Sequence, residues 1–368
     1  MHIKPFRAVY PKLEFIASPD SFFSTVKEDY PAYKQDGFFI KTDTDAFYIY
    51  QILTPRRRYL GLIAASDVQD FLDGNILKHE DTLTALEQVQ MHLLFRRNAV
   101  VKPVLLTYPK VDEIEQWMED YIKSGSSFFS IDFEFEEEHH RLWKVEDAAD
   151  IAHLKRLFAE KIPKTYIADG HHRTSTSALM YEKSKDTDPE KYRYFLTAFF
   201  SFSDLEIFDY NRIVRGLNDN TDAMFMAKLS QVFDIEVMSA PGKPSKKHEL
   251  VLFFNHSWYR LNWRAKVLEK YAGRPVLLDA TMLNEQVLAP ILGIADERND
   301  SRIKYMEGPK GIEGVREIVL RNENRVGFLL YPVGWDDFLK IADMGRIMPP
   351  KSTWFEPRMK NGIIVQEI

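Results

Sequence analysis

The chain of 368 residues sets 49 lysines and arginines against 55 aspartates and glutamates, a formal net charge of -6. Nonspecific nucleic-acid binding runs on phosphate neutralisation by basic side chains, so this balance argues against it. With no cysteine in the chain, disulfides, thiolate nucleophiles and cysteine-based zinc sites are excluded.

Such a composition fits a reducing cytoplasm. The N-terminal residues lack the apolar core of a signal peptide. No window approaches the uncharged apolar stretch of a membrane helix. A cytoplasmic chain with no membrane partner is therefore expected. Its length predicts about two domains or one large one.

Strands are expected at 38–40, 46–53 and 59–64. Ser66 is placed to cap a short helix beginning at Asp67. Leu83, Leu86, Val89, Leu93 and Leu94 recur at helical spacing and predict a helix over 82–97. A buried strand over 101–107 and an amphipathic helix over 111–123 follow. Residues 128–135 alternate apolar with polar, and 141–145 would return as the hairpin partner. The helix expected over 147–160 stops before Pro163. A short strand at 164–168, a turn at Asp169-Gly170 and a helix over 172–184 form the centre.

Beyond it, strands are expected at 194–201, 205–212, 249–254, 258–263, 325–332 and 362–368. Helices are expected over 222–233, 280–291, 312–321 and 335–344. Residues 239–247 (SAPGKPSKK) read as a loop, since strand-like sequence lies on both sides. This interleaving predicts an α/β chain of mixed α+β character. It is read as one unit over 1–368, with a subdivision into 1–160 and 161–368.

The run YIADGHHRTSTSAL at 166–179 stands out chemically. An acid, a glycine, two imidazoles and a guanidinium follow directly on an apolar strand. A helix N-terminus presents unsatisfied N–H groups and the positive end of a dipole, and so attracts phosphate. Gly170 would let the backbone approach an anion without a Cβ in the way. Arg173 could fork two oxygens of one phosphate. His171 and His172 point in different directions, so one is expected to face a ligand and the other to hold the loop. Thr174 adds a hydroxyl. Asp169 could orient a histidine, bind Mg2+ or take a proton from a hydroxyl substrate. The plain alternative is a polar turn before a capped helix; the co-location of these groups favours function. The spacing matches neither GxxxxGK[ST] nor GxGxxG.

These residues carry a resemblance. IADGHHR resembles the signature of the domain-of-unknown-function 1015 family. IKPFRAVYP at 3–11, the segment 61–82 ending KHEDT, and MPPKSTWFEPRMKNGIIV at 348–365 resemble its other motifs, in the same order. There are departures: Ser18-Pro19-Asp20-Ser21 stands where Pro-Tyr-Asp is common, Thr174-Ser175 where Tyr-Glu is common, and Gln88-Val89-Gln90 where Asp-Arg is often seen. The Asp-Gly-His-His-Arg string is also similar to that of the ParB/sulfiredoxin superfamily, which includes kinases of free serine. The resemblance implies a ParB/sulfiredoxin-like nucleotide-binding core with elaborations. It implies phosphoryl transfer from ATP or ADP, with Mg2+, to a small hydroxyl acceptor, free L-serine foremost.

On that resemblance, Glu80, Asp169 and His172 are the candidate catalytic residues. Gly170, His171, His172, Arg173 and Thr174, with Lys351, Ser352 and Thr353, are candidates for phosphate. His79 and Arg7 are candidates for the substrate. From composition alone, the segment of His79 and Glu80 reads as a helix start capped by Asp81 or Thr82, and Lys351–Thr353 as a proline-stiffened loop. His139 and His140 point to opposite faces of a strand and are taken as surface. A nucleotide-binding module without turnover and a nucleotide phosphohydrolase are the competing readings. A homo-oligomer is left open.

Overall fold

A computed structural model describes residues 1–81, 84–321 and 325–368, apart from the side chains of 84–86. The expected positions Thr82 and Leu83 lie outside the described residues. The chain forms two units, residues 1–206 with 357–368, and residues 207–356. Residue 160 falls inside a helix of the first.

The first unit contains strands β1 (Ile3–Lys4), β2 (Ala8–Pro11), β3 (Phe39–Lys41), β4 (Phe47–Leu53), β5 (Arg58–Asp67) and β6 (Ile76–Leu77). It continues with β7 (Ala99–Val100), β8 (Val104–Tyr108), β9 (Phe129–Phe133), β10 (Glu138–Val145), β11 (Thr165–Asp169) and β12 (Tyr194–Ser201). Its helices are α1 (Pro19–Gln35), α2 (Val68–Leu72), α3 (Thr84–Arg97), α4 (Asp112–Ser124), α5 (Ala148–Lys161) and α6 (His171–Ser184). The main sheet runs β6-β11-β8-β12-β5-β4-β10-β9, with β1 alongside β5. A second sheet runs β3-β2, then the strand Val365–Glu367, then β7.

Strand β5 is buried along nearly its whole length, as the central strand of a sheet covered on both faces must be. At Gly61 a Cβ would lie 2.4 Å from the Phe199 carbonyl oxygen, so only glycine permits the approach of β12. Leu154, Leu157 and Phe158 of α5 and Ile114 and Met118 of α4 pack with Leu62, Leu106 and Phe199 of the sheet. Helix α5 starts where Asp147 accepts hydrogen bonds from the N–H groups of Ala149 and Asp150 at 2.8 and 3.1 Å.

The second unit carries a six-stranded antiparallel sheet in the order Phe233–Val237, Ser257–Trp263, Glu249–Phe254, Arg325–Leu329, Tyr210–Arg215, Ile303–Glu307. Its core gathers Phe225, Phe233, Leu252, Trp263, Met282 and Phe328. Residues 239–247 form a loop between two strands, as expected.

Several expectations need correction. Asp67, not Ser66, caps α2, accepting from the Gln69 N–H at 3.0 Å; Ser66 is buried, its hydroxyl paired with that of Thr197. The helix expected over 222–233 ends at Ser230, and Phe233 begins a strand whose β-branched and aromatic residues suit a sheet edge. The helix expected over 280–291 widens at Asn284–Leu288, where the Ala289 N–H reaches the Asn284 carbonyl. Pro290 follows, without an N–H to continue the ladder. The strand expected over 205–212 breaks at Asp209, whose carbonyl accepts from the Gly308 N–H at 2.7 Å. His140 is wholly buried, its Nδ1 2.5 Å from the Tyr50 hydroxyl and its Nε2 3.1 Å from Glu138; only His139 is at the surface.

Candidate functional site

Strand β11 delivers Asp169 and Gly170 to one end of the main sheet. Its register with β8 shifts between Ile167 and Asp169, a bulge that re-aims the strand's last side chain. Gly170 then takes φ +111°, a left-handed conformation open to glycine at little cost. A Cβ there would stand 2.9 Å from the Arg173 guanidinium and 3.2 Å from Val104 Cγ2. Gly170, at the N-cap of α6, has no side chain to accept from the first-turn N–H groups at the anion-attracting end of the helix.

Three cations converge on Asp169. Arg173 Nη2 donates to Oδ2 at 3.0 Å, Lys102 Nζ lies 3.3 Å from the same oxygen, and Arg358 Nη1 lies 3.2 Å from Oδ1. Burial pushes the Asp169 carboxyl upward, but the charges of Lys102, Arg173 and Arg358 outweigh it and hold the group well below its usual range. Burial lowers the Lys102 ammonium, and Asp169 opposes that shift. Sequence reasoning does not reach Lys102 or Arg358. Arg358 lies inside the C-terminal motif, and nothing in the local pattern of either residue shows that the fold brings it to Asp169.

The segment before α3 docks on the same turn. The His79 N–H donates to His171 Nε2 at 3.4 Å, and the two rings meet edge to face with centroids 4.4 Å apart. Since Nε2 accepts, His171 is neutral and carries its proton on Nδ1. Burial brings its pKa down to about 3, with His172, Lys78 and Arg173 adding to the fall and Asp169 opposing it. Burial and His171 likewise hold His79 well below its ordinary value. The two histidines of the motif thus separate: His171 is buried and holds the loop, while His172 is half-exposed. Glu80, half-buried, follows His79 directly.

The remaining sequence candidates fall as follows. Thr174 is buried, and its hydroxyl donates back to the Gly170 carbonyl at 3.2 Å. Arg7 is exposed and faces Asp45 at 3.8 Å. Lys351, Ser352 and Thr353 belong to the second unit. There the Ser352 hydroxyl donates to the Pro349 carbonyl at 2.7 Å, and Lys351 Nζ lies over the Tyr210 ring. Among the described residues no three His, Asp or Glu side chains converge as a metal site. Both Asp169 oxygens face cations, so the arrangement does not fit Mg2+ held by that carboxylate. No helix among the described residues is long and apolar enough to cross a membrane.

Among solved structures, the chain is similar to SbnI with a C-terminal truncation from Staphylococcus aureus. That match has 9% identity, covers 81% of this chain and 85% of that one, and has a TM-score of 0.43. A free serine kinase variant in complex with AMP is 12% identical, with 82% and 92% covered and a TM-score of 0.40. A conserved hypothetical protein from Pyrococcus furiosus is 11% identical, with 83% and 95% covered and a TM-score of 0.39. No curated protein matches the sequence. A family model described as a protein of unknown function, DUF1015, matches residues 5–281, and the chain belongs to that family.

Proposed function

We propose that this protein is a nucleotide-dependent small-molecule kinase, transferring a phosphoryl group from ATP or ADP to a hydroxyl acceptor, with free L-serine as the acceptor and O-phosphoserine as the product. One observation supports the reading: Lys102, Arg173 and Arg358 gather on one carboxylate at the N-terminus of α6, beside a docked segment that bears Glu80. In phosphoryl transfer the protein chiefly positions the reactants and neutralises charge, which is what such a site offers.

In this reading Arg173, Lys102 and Arg358, with the first-turn N–H groups of α6, hold the nucleotide's terminal phosphates. Glu80 accepts the acceptor's hydroxyl proton. The hydroxyl oxygen bonds to the terminal phosphorus, the bond from that phosphorus to the bridging oxygen breaks, and the nucleotide leaves one phosphate shorter. Asp169 is a positioning residue. A carboxylate held so far below its usual range is a poor base, and its ion pairs arrange the three cations. His171 and His79 join the two segments as a neutral pair.

Incubation with ATP or ADP, Mg2+ and L-serine, followed by 31P NMR and mass spectrometry, is expected to show O-phosphoserine. Phosphate release without acceptor would replace the reading with a phosphohydrolase. Nucleotide-induced thermal stabilisation with no product from either donor would replace it with a binding module.

A further inference from the structure

A partly open cavity of about 210 Å³ lies in the first unit beside α6. Lys27 of α1, Arg97 at the end of α3, Lys102, and Arg173, Thr176 and Ser177 of α6 line it. Among the described residues no carboxylate does. Lys102 and Arg173 already face Asp169, and Lys27 Nζ lies 3.8 Å from Glu28, which leaves the Arg97 guanidinium as the cavity's own donor. Arg97 is the informative member. Its Nε and Nη2 are buried and make no hydrogen bond, and the Nε of Arg173 is in the same condition. A position at a helix C-terminus explains why an arginine suits residue 97. It does not explain why the guanidinium is turned inward with two nitrogens unsatisfied, an arrangement that destabilises the free protein. Planar, forked donors of this kind match a carboxylate.

Size decides which anion. The cavity is smaller than the roughly 300–1,000 Å³ of sites that enclose drug-sized ligands, so it matches a small acid better than a whole nucleotide. It has room for a small acid. Arg173 belongs both to the Asp169 cluster and to this cavity, so an anion here lies one guanidinium away from the proposed phosphate site.

We infer that this cavity is the acceptor subsite, and that Arg97 binds the α-carboxylate of a small hydroxy amino acid. The inference rests on the kinase reading and narrows its acceptor class: hydroxyl compounds without a carboxylate are excluded as good substrates. Thr176 and Ser177 line the same space, and the Thr176 hydroxyl is 3.5 Å from the Glu87 carbonyl.

The test compares L-serine with L-serinamide, in which a neutral amide replaces the carboxylate, in the wild type and in Arg97→Gln. Removing a charge-assisted bidentate hydrogen bond should raise the acceptor KM about 10- to 100-fold. That rise is expected for serinamide with the wild type and for L-serine with Arg97→Gln. The variant should no longer prefer L-serine, its nucleotide KM should be unchanged, and Arg97→Lys should recover part of the loss. Equal use of serinamide and L-serine by the wild type would overturn the inference, as would a variant that weakens only the nucleotide. A merely structural Arg97 would lower the melting temperature on substitution and leave the preference for the carboxylate intact. If no donor gives turnover, the kinase reading fails, and calorimetric titration with L-serine alone decides this inference separately. Binding heat with the wild type that vanishes in Arg97→Gln upholds the cavity as a carboxylate site, and no heat with the wild type overturns it.

Discussion

The backbone N–H of His79 donates to the Nε2 of His171, across 92 residues of chain. This hydrogen bond fixes the His171 tautomer and ties the segment that ends in Glu80 to the first turn of α6.

Acid should act on the pair. Both imidazoles are held neutral when folded, with the His171 pKa down at about 3 and that of His79 well below its ordinary value. The unfolded chain takes up those protons near pH 6.5. Between pH 6.5 and about 3 the unfolded state therefore binds more protons at His171, and stability falls as the pH is lowered, by up to about 1.4 kcal/mol per pH unit from that group, with His79 acting in the same direction. Above pH 6.5 the contribution is fully present. Urea unfolding at pH 7, 5.5 and 4.5 should show His171→Gln losing less stability on acidification than the wild type.

Asp169→Asn separates an anchor from a base. Removing the carboxylate leaves Lys102, Arg173 and Arg358 facing one another. Stability should fall by about 2 kcal/mol, less than the ~3–5 kcal/mol of a fully buried pair because this side chain is partly exposed. Inorganic phosphate or sulfate should then raise the melting temperature of the variant more than that of the wild type. Equal shifts in the two proteins would contradict the anchoring role.

Gly170→Ala should damage the site through geometry alone. The residue would sit at φ +111° with its Cβ 2.9 Å from the Arg173 guanidinium. A loss of about 1–2 kcal/mol in stability is expected from the backbone. Displacement of Arg173 should weaken nucleotide binding about tenfold or more in calorimetry. Gly74 is also left-handed but has nothing within 4 Å of an added Cβ, so Gly74→Ala serves as the control that shares the strain without the clash.

Glu80→Gln and Arg173→Ala should fail differently. Removing a general base is expected to lower kcat about 10²- to 10⁴-fold while nucleotide binding persists. Removing Arg173 should abolish binding. Single-turnover assays beside nucleotide titration distinguish them; loss of binding in Glu80→Gln would remove Glu80 from the role of base.

Much of the framework is legible from local pattern. The hairpin of β9 and β10, helix α5 and strand β12 carry their periodicity openly, and the anion-attracting end of α6 follows from glycine and the residues after it. Helix α1 is harder to see, although Ser18 and Pro19 form an N-terminal signature; Pro31 interrupts its pattern, yet the helix continues past it. The cation cluster is illegible for another reason. Lys102 and Arg358 are ordinary surface-type residues in sequence, and only tertiary pairing brings them from distant strand ends to one carboxylate. His140 shows the same limit: strand alternation places two histidines on opposite faces, but it does not say that one face is buried.

The strand Val365–Glu367 lies between β2 and β7, and Arg358 comes just before it. Both leave the ribosome well after the rest of their unit. A nascent chain that has emerged through residue 206 already holds every strand of the main sheet but lacks one of the three cations on Asp169. It also leaves β2 with an open edge, a template for pairing with other chains. Closure of the site is therefore delayed through the synthesis of residues 207–356, and a product clipped before Arg358 has the motif without its full charge. Emergence of the segment 357–368, rather than formation of the central helix, is the moment at which the Asp169 cluster gains its third cation.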